Sequence, residues 1–353
     1  MNVGRFFLFI ILFIISSQLF AFSILHYELP GLNTIIGTKT FTRIDNTRKD
    51  PHSKDSIFRE LVYRIWYPAV DDESVPFSLW GYENRDLIIE NESKASSIPK
   101  FILNRAHLNQ VRSKVNLNPL PESYPIIFLL KGLGPSQIEE QTDIAEFLVL
   151  KGFIVIGISM PYAAGPLKIS QVKHLIPYSE ELQEILTRYP ASKPELITYR
   201  LREHDLWVQD VLFSFKILSS KTEPRLKYAN WNKVHILGHS HGGIVALDAC
   251  LKIDQCISSV NMDGFTYNLP IPHDLKKHLA YYVPSSGDYM RTYCKNKLGC
   301  NNLEISCDIG HSGFSDAIYS KWPFTYFTKN NCGDKSVHLK QKINNGVADF
   351  FTH

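Results

Sequence analysis

The hydrophobic and polar positions of the chain follow a repeating pattern. Short, continuous apolar runs end at glycine or at polar residues, and helical stretches such as residues 142–150 separate them. Strands that are apolar on both faces are typical of parallel sheets covered by helices on both sides. We therefore expect an α/β fold with a mostly parallel, doubly wound sheet. The predicted strands are residues 60–68, 125–130, 153–158, 234–237 and 256–262.

A long insertion separates two of these strands. Residues 160–233 are expected to form a helical insertion before the strand at 234–237. Its segment 194–219 carries apolar residues at helical spacing, which indicates core packing or, alternatively, a membrane-binding face. Core packing is the more common use of such a stripe, and it is the interpretation we favour.

The N-terminus has the layout of a secretory signal. Arg5 precedes an apolar run at residues 6–15, and a more polar segment rich in small residues follows. The run is well short of the roughly 20 residues that span a bilayer, which disfavours an uncleaved anchor. We expect residues 1–21 to be a cleaved signal peptide and the protein to be secreted or periplasmic. Residues 22–353 should then form a single domain, with an edge hairpin within residues 22–58.

Composition limits the class of protein. Of the 353 residues, 44% are hydrophobic and 21% are charged, which is the balance of an ordinary globular protein. That balance excludes a disordered or collagen-like chain. The net charge of +3 is too small and too dispersed for a nucleic-acid surface, so no nucleic-acid partner is expected.

The cysteines are clustered in the last third of the chain. An even number of cysteines in an exported protein favours disulfides, and the absence of a Cys-x-x-Cys pair makes a zinc site the weaker alternative. Six cysteines allow 15 pairings, and spacing alone does not choose among them. The pairs favoured by proximity are Cys250 with Cys256 and Cys294 with Cys300, which leaves Cys307 with Cys332.

A glycine-rich turn follows the predicted strand at 234–237. Residues 238–243 read Gly-His-Ser-His-Gly-Gly and precede a predicted helix. Gly-x-Ser-x-Gly between a strand and a helix is the signature of a nucleophile turn, in which glycines let both backbones approach closely. Ser240 is therefore the predicted nucleophile. The alternative is a glycine-rich turn that carries an ordinary serine.

An acid is expected to follow such a serine along the chain. Asp263 comes directly after the strand at 256–262, at the sheet edge where doubly wound sheets bind ligands, and is the predicted acid. The other candidates are Asp248 and Asp254, which are expected to face solvent, and Asp308 and Asp316, which lie too close to the leading histidine to orient it easily.

A histidine completes the expected order. His311 is the predicted general base, because it follows a short predicted strand at residues 303–306 and has glycine beside it, as suits a base carried on a loop. His239 and His241 adjoin the serine but are expected to point elsewhere from a tight turn. The remaining candidates lie in a polar connection or near the C-terminus: His273, His278, His338 and His353.

Two backbone N–H groups are needed to bind the oxyanion of an acyl-transfer reaction. The first is expected from His241, the residue after the nucleophile. The second is expected from the loop Lys-Gly-Leu-Gly at residues 131–134, where flanking glycines let the N–H of Leu133 face the site. The alternative is that residues 131–134 form a simple tight turn.

These motifs together resemble those of the platelet-activating factor acetylhydrolases of plasma and bacterial type. The resemblance spans roughly residues 58–330 and rests on Gly-His-Ser-His-Gly-Gly, the Lys-Gly-Leu-Gly loop, an acid 23 residues after the serine and His-x-x-Phe-Ser-Asp at 311–316. The chain differs from the usual family pattern at two positions. His241 replaces a phenylalanine, and Lys131 replaces a histidine.

The resemblance implies an α/β-hydrolase fold, related to dienelactone hydrolase, for residues 22–353. It also implies calcium-independent hydrolysis of short or oxidised sn-2 acyl chains of phospholipids by Ser240, Asp263 and His311. No metal and no organic cofactor is expected. The expected partner is a lipid or another ester substrate, with transient contact at a membrane surface.

Two kinds of alternative remain. The chain can be a serine hydrolase with another substrate, such as a glycerophospholipid acyltransferase, a polyester hydrolase or a peptidase. It can also be a catalytically silent member of the fold that serves as a secreted binding module. A complete set of serine, acid and base favours an enzyme over a silent module.

Overall fold

The fold is described from a computed structural model. The described residues are 34–79, 85–96, 99–101, 104, 110–134, 137–163, 165–188, 194–220, 223–264, 277–281, 301–302, 309–316, 332 and 335–353. The predicted signal peptide lies outside these residues, as do Asp308, His273 and three of the six cysteines.

One mixed sheet organises the described part of the chain. Its strands are β1 (Ile35–Lys49), β2 (Phe58–Ala69), β3 (Phe77–Leu79), β4 (Gln110–Val115), β5 (Tyr124–Leu130), β6 (Ile154–Ser159), β7 (Ala229–His239), β8 (Cys256–Met262), β9 (Lys277–Tyr281) and β10 (Asn301–Asn302). The order across the sheet is β10-β9-β8-β7-β5-β6-β2-β1-β4-β3. Strands β5 to β10 are mutually parallel, which confirms the predicted parallel core.

Six α-helices lie in the described residues: α1 (Arg85–Ser96), α2 (Thr142–Leu150), α3 (Glu180–Arg188), α4 (Pro194–Ser219), α5 (His241–Lys252) and α6 (Lys335–Thr352). Short 3₁₀ helices occur at Ile138–Gln141, Pro224–Leu226 and His311–Phe314. None of the helices in this part of the chain combines the length and the apolar character that a membrane crossing requires.

Alternate residues of strand β5 show why its sequence is continuously apolar. Ile127 and Leu129 pack with α2 and α6 on one face of the sheet. Ile126, Phe128 and Leu130 pack with α4 and α5 on the other face. Because both faces are buried, no position of the strand is left for a polar residue. The doubly wound arrangement expected from the sequence is therefore confirmed.

The apolar stripe of α4 belongs to the core. Trp207, Val208, Val211 and Leu218 are buried in the same cluster as α5 and the sheet. Core packing, rather than a membrane-binding face, is thus the correct interpretation for these residues.

Two expectations about the strands were wrong, one about a position in the sheet and one about where a strand begins. The first long strand, β1, does not lie at an edge, because it pairs with β2 on one side and with β4 on the other. Strand β7 begins at Ala229, inside the segment expected to be helical insertion. The residues 229–233 of that strand are half-buried or exposed and carry no apolar run, so hydrophobic pattern alone could not assign them.

Candidate active site

Ser240 lies in a strained turn between β7 and α5. Its backbone angles are φ 55° and ψ −125°, a left-handed value of φ that residues with a Cβ seldom adopt. Glycines allow the turn, because a Cβ on Gly238 would lie 2.0 Å from the carbonyl oxygen of Gly242. A Cβ on Gly243 would lie 2.0 Å from Oδ1 of Asn261. The turn therefore has the geometry that the Gly-x-Ser-x-Gly motif predicts.

Asp263 directly follows β8 and is paired with a histidine. Its backbone also has a positive φ, 57°, and its N–H donates to the carbonyl oxygen of Tyr281. The carboxylate is buried, with 1% of the side chain exposed, and its Oδ2 lies 2.5 Å from Nδ1 of His311. The loop that carries Asp263 also touches the nucleophile turn, because a Cβ on Gly264 would lie 2.2 Å from the carbonyl oxygen of Ser240.

His311 begins a short 3₁₀ helix, His311–Phe314, after Gly310, whose φ is 68°. About half of the His311 side chain, 51%, is exposed. Since Nδ1 is directed at Asp263, the ring nitrogen that remains for another partner is Nε2. The structure thus brings together the acid and the base that were predicted from chain order.

The side chain of His239 contacts His311, and the sequence did not predict this contact. The two rings lie 4.7 Å apart between centroids, and Nε2 of His239 lies 2.9 Å from the carbonyl oxygen of His311. Burial holds the pKa of His239 well below 6.5, and the neighbouring groups His311, Lys340 and Lys131 act in the same direction whenever they carry a proton. A neutral His239 can donate Nε2–H to that carbonyl oxygen. The expectation that His239 points away from the site was therefore wrong.

The ring of His241 points away from Ser240, as expected. It is buried against Trp207 and His204 of α4, with ring centroids 5.0 and 6.2 Å away. Burial keeps the pKa of His241 well below 6.5. Because the ring packs under the helix, the backbone N–H of His241 is the part of the residue that can serve an oxyanion.

The competing acids and histidines have other surroundings. Asp248 is bound to His204 and Lys252, and Asp316 accepts a hydrogen bond from the N–H of Asp143. His278 lies in strand β9 and is buried against Ser259, so the expectation that it lies in a polar connection was wrong. Asp254, His338 and His353 are exposed. Within the described residues, Asp248 alone among these pairs with a histidine, and there the histidine, His204, is the buried partner and the acid is the more exposed one.

The loop after β5 lies against the nucleophile. A Cβ on Gly132 would lie 2.7 Å from Cβ of Ser240 and 3.2 Å from its Oγ, so only glycine fits. Leu133 follows directly and is half-buried beside the core on the α4 and α5 face. This position agrees with the predicted loop, and the role of the Leu133 N–H as an oxyanion donor remains a prediction.

The buried side chain of Lys131 hydrogen-bonds to the backbone of this loop. It is 2% exposed, and its Nζ donates to the carbonyl oxygen of Gly134 over 2.8 Å and to that of Ala163 over 3.4 Å. Burial lowers the pKa of Lys131 to about 7, which the carboxylates of Glu140 and Glu139 only partly oppose. Lys131 is therefore a buried, titratable group behind the loop.

The stability of the protein should reveal this titration. Native Lys131 releases its proton near pH 7, whereas the unfolded chain holds that proton up to about pH 10.5. The unfolded state therefore binds more protons in this range, and stability rises with pH. The unfolding free energy of the wild type minus that of Lys131→Met should increase by about 2 kcal/mol between pH 7 and pH 9.

Denaturant unfolding of both proteins at pH 7, 8 and 9 measures this difference. The matched control is Lys151→Met, which removes an exposed lysine. A wild-type minus Lys131→Met difference that stays constant across the three pH values would contradict a depressed pKa at Lys131.

One predicted disulfide is confirmed. Cys250 and Cys256 are bonded and join the end of α5 to the start of β8. These two elements carry Ser240 and Asp263 at their opposite ends, so the bond links the supports of both side chains. Cys332 is also disulfide-bonded, and the other two predicted pairs involve residues outside the described part. Among the described residues, no group of three His, Cys, Asp or Glu side chains is arranged to hold a metal ion.

The fold is shared with a protein of known structure. The chain is similar to the ferulic acid esterase from Streptomyces cinnamoneus, with a TM-score of 0.64 and 18% identity over 92% of this chain and 91% of that one. It is also similar to a dienelactone hydrolase-like promiscuous phosphotriesterase from metagenomic libraries, with a TM-score of 0.43 and 10% identity over 89% of this chain and 98% of that one. Protein-family models and curated sequences give no match. The chain has the α/β-hydrolase fold.

Proposed function

We propose that this chain is a serine hydrolase of carboxylic esters, in which Ser240 is the nucleophile, His311 the general base and Asp263 the acid that orients it. The observation that carries the proposal is the pair of buried Asp263 and half-exposed His311, at the same sheet edge as the strained Ser240. A carboxylate so placed selects the Nδ1–H tautomer and stabilises the imidazolium that forms during reaction.

The reaction follows from this arrangement. Nε2 of His311 takes the proton of Ser240 while Oγ bonds to the ester carbonyl carbon. The N–H groups of Leu133 and His241 bind the oxyanion, an effect of about 3–4 kcal/mol per donor where one donor has been removed. The imidazolium returns its proton to the leaving alcohol as the C–O ester bond breaks. Water, deprotonated by His311, then attacks the acyl carbon. The bond to Oγ breaks, the carboxylic acid product leaves, and His311 returns the proton to Ser240.

For the substrate, we propose phospholipids with a short or oxidised sn-2 acyl chain. The support is the sequence resemblance, above all the spacing of Ser240 and Asp263 and the motif His-x-x-Phe-Ser-Asp at 311–316. A substrate of this kind implies transient contact with a lipid surface. Secretion is part of the same proposal, since the bond between Cys250 and Cys256 suits an oxidising compartment.

A second substrate class has its own support. The similar structure with a TM-score of 0.64 is named as a ferulic acid esterase, so esters of hydroxycinnamic acids are the second candidate. Both candidates use the same nucleophile, acid and base. They differ only in the surface that binds the acyl and alcohol parts.

A panel of esters separates the candidates. The disulfide-intact protein is tested with p-nitrophenyl acetate, a 1-alkyl-2-acetyl phosphatidylcholine, a long-chain phosphatidylcholine and methyl ferulate. We expect kcat/KM to be highest for the acetylated phospholipid among the last three, with release of acetate. Fastest turnover of methyl ferulate would favour the second class, and transfer of the acyl group to an added alcohol in preference to water would indicate an acyltransferase. No turnover of any ester would contradict the proposed function.

A further inference from the structure

The short helix that begins with His311 is fastened to the C-terminal helix by a buried lysine. Lys340 of α6 is fully buried, and its Nζ donates to the carbonyl oxygen of Phe314 over 2.5 Å. Phe314 is the last residue of the 3₁₀ helix His311–Phe314, and its side chain is also fully buried. One end of this helix is thus held by Asp263 and the other by Lys340.

Two carboxylates accompany the lysine. Asp143 of α2 and Asp316, two residues after Phe314, both act on Lys340 electrostatically and oppose the lowering of its pKa by burial. Oδ1 of Asp316 accepts the N–H of Asp143, and Nδ2 of Asn344, one turn after Lys340, donates to Oδ2 of Asp143. This cluster joins α2, α6 and the segment that carries His311.

Burial of this charged cluster is energetically unfavourable. A buried ammonium group loses its hydration, and an apolar side chain of similar size often gives equal or greater stability. The same helix already contributes Leu339, Ile343 and Val347 to the core, so α6 does not depend on Lys340 for attachment. What the lysine adds is a defined bond to one carbonyl oxygen, that of Phe314.

The cluster also acts close to the proposed base. Besides burial, the positive charge of Lys340 contributes to the low pKa of His239. The ring of His239 in turn lies tilted against that of His311, and its Nε2 approaches the His311 carbonyl oxygen. Lys340 and His239 therefore hold the same short helix from two sides.

We propose that Lys340 is a positioning residue for His311: through the carbonyl oxygen of Phe314 it holds the 3₁₀ helix where the imidazole meets Asp263. This inference rests on the proposed function for its catalytic consequence, but not for its structural one. Lys340 has no contact with substrate in this proposal and takes no part in proton transfer.

The test compares two lysines of one helix. Lys340→Met removes the donor and the charge at similar side-chain length, and Lys342→Met makes the same change at an exposed position two residues away. For p-nitrophenyl acetate, Lys340→Met should lower kcat by roughly 10- to 100-fold with KM changed less than about twofold, because misplacement of a catalytic group by about 1 Å can cost 10²-fold. Lys342→Met should match the wild type.

A spectroscopic readout separates positioning from general stability. The proton between Nδ1 of His311 and Asp263 should give a downfield proton NMR resonance in the wild type, identified by its absence in Asp263→Asn. We expect that resonance to be lost or broadened in folded Lys340→Met and kept in Lys342→Met. If Lys340→Met does not fold, the double variant with Asp316→Asn removes one buried charge of each sign and is tested instead.

Unchanged kcat and an unchanged resonance in a folded Lys340→Met protein, or in the double variant, would overturn the inference. Failure of the proposed function is distinguishable, because it would appear as a wild type that hydrolyses none of the esters. In that case the resonance alone decides whether Lys340 positions His311.

Discussion

Alanine at position 240 is expected to lower kcat for p-nitrophenyl acetate by about 10⁵- to 10⁶-fold, the loss seen when the nucleophile of a serine, acid and base triad is removed. The physical reason is that alanine has no hydroxyl for His311 to deprotonate, and Ser240 carries the only hydroxyl among residues 238–243. The backbone should keep its conformation, because Ser240→Ala retains the Cβ that the strained turn already accommodates at φ 55°.

Steady-state assays of the purified variant, with its melting temperature, check this prediction. Ser312→Ala is the matched control, since it makes the same substitution beside His311 and keeps the backbone carbonyl that accepts the hydroxyl of Ser315. The control should stay within severalfold of the wild type. If folded Ser240→Ala kept more than about one hundredth of wild-type activity, Ser240 could not be the nucleophile.

Asparagine at position 263 is expected to lower kcat by about 10⁴-fold while the protein stays folded. The Asp263 carboxylate is buried and holds Nδ1 of His311 at 2.5 Å. Asparagine has nearly the same shape, but its amide carries no charge to stabilise an imidazolium and can turn its NH₂ group toward the ring. The imidazole then loses the tautomer in which Nε2 accepts a proton.

A second acid–histidine pair provides the control. Asp248 contacts Nε2 of His204 at 3.0 Å, and Asp248→Asn repeats the chemical change away from the proposed site. Assays of both variants should show a large loss for Asp263→Asn and less than about a twofold change for Asp248→Asn. The reverse result would assign the acid to Asp248, and full activity of both would exclude an acid at either position.

The central strands of the parallel part were predictable from hydrophobic pattern, whereas β9 and most of the antiparallel part were not. Strands β5 and β6 are buried on both faces, so each is a nearly continuous apolar run that local sequence reveals. Strand β1 is largely half-buried and mixes polar with apolar residues. It pairs antiparallel with β2 and parallel with β4, which is more than 60 residues distant along the chain. Pairing over such a distance depends on the assembled sheet and leaves little local signal.

The residues of the site likewise fall into those that the sequence predicted and those that it did not. Ser240 was predicted from a strained turn that demands glycines, and Asp263 and His311 from chain order and the position of strand ends. His239 was expected to point elsewhere. Its contact with His311, 72 positions later, was not predictable because it arises only when the loop that carries His311 folds over the nucleophile turn. Lys340 gave no signal, because a lysine in an amphipathic helix ordinarily faces solvent. The burial of Lys340 becomes evident only when the fold places the carboxylates of Asp143 and Asp316 near it.

Covalent labelling tests the central claim, that Ser240 is the activated nucleophile of the site, most directly. The native protein is treated with a fluorophosphonate, its intact mass is measured, and the modified residue is located by peptide mass spectrometry. We predict one adduct, on the peptide that contains Ser240, with labelling abolished in Ser240→Ala and strongly slowed in Asp263→Asn. An adduct on another residue, or ester hydrolysis that continues while Ser240 stays unmodified, would contradict the account.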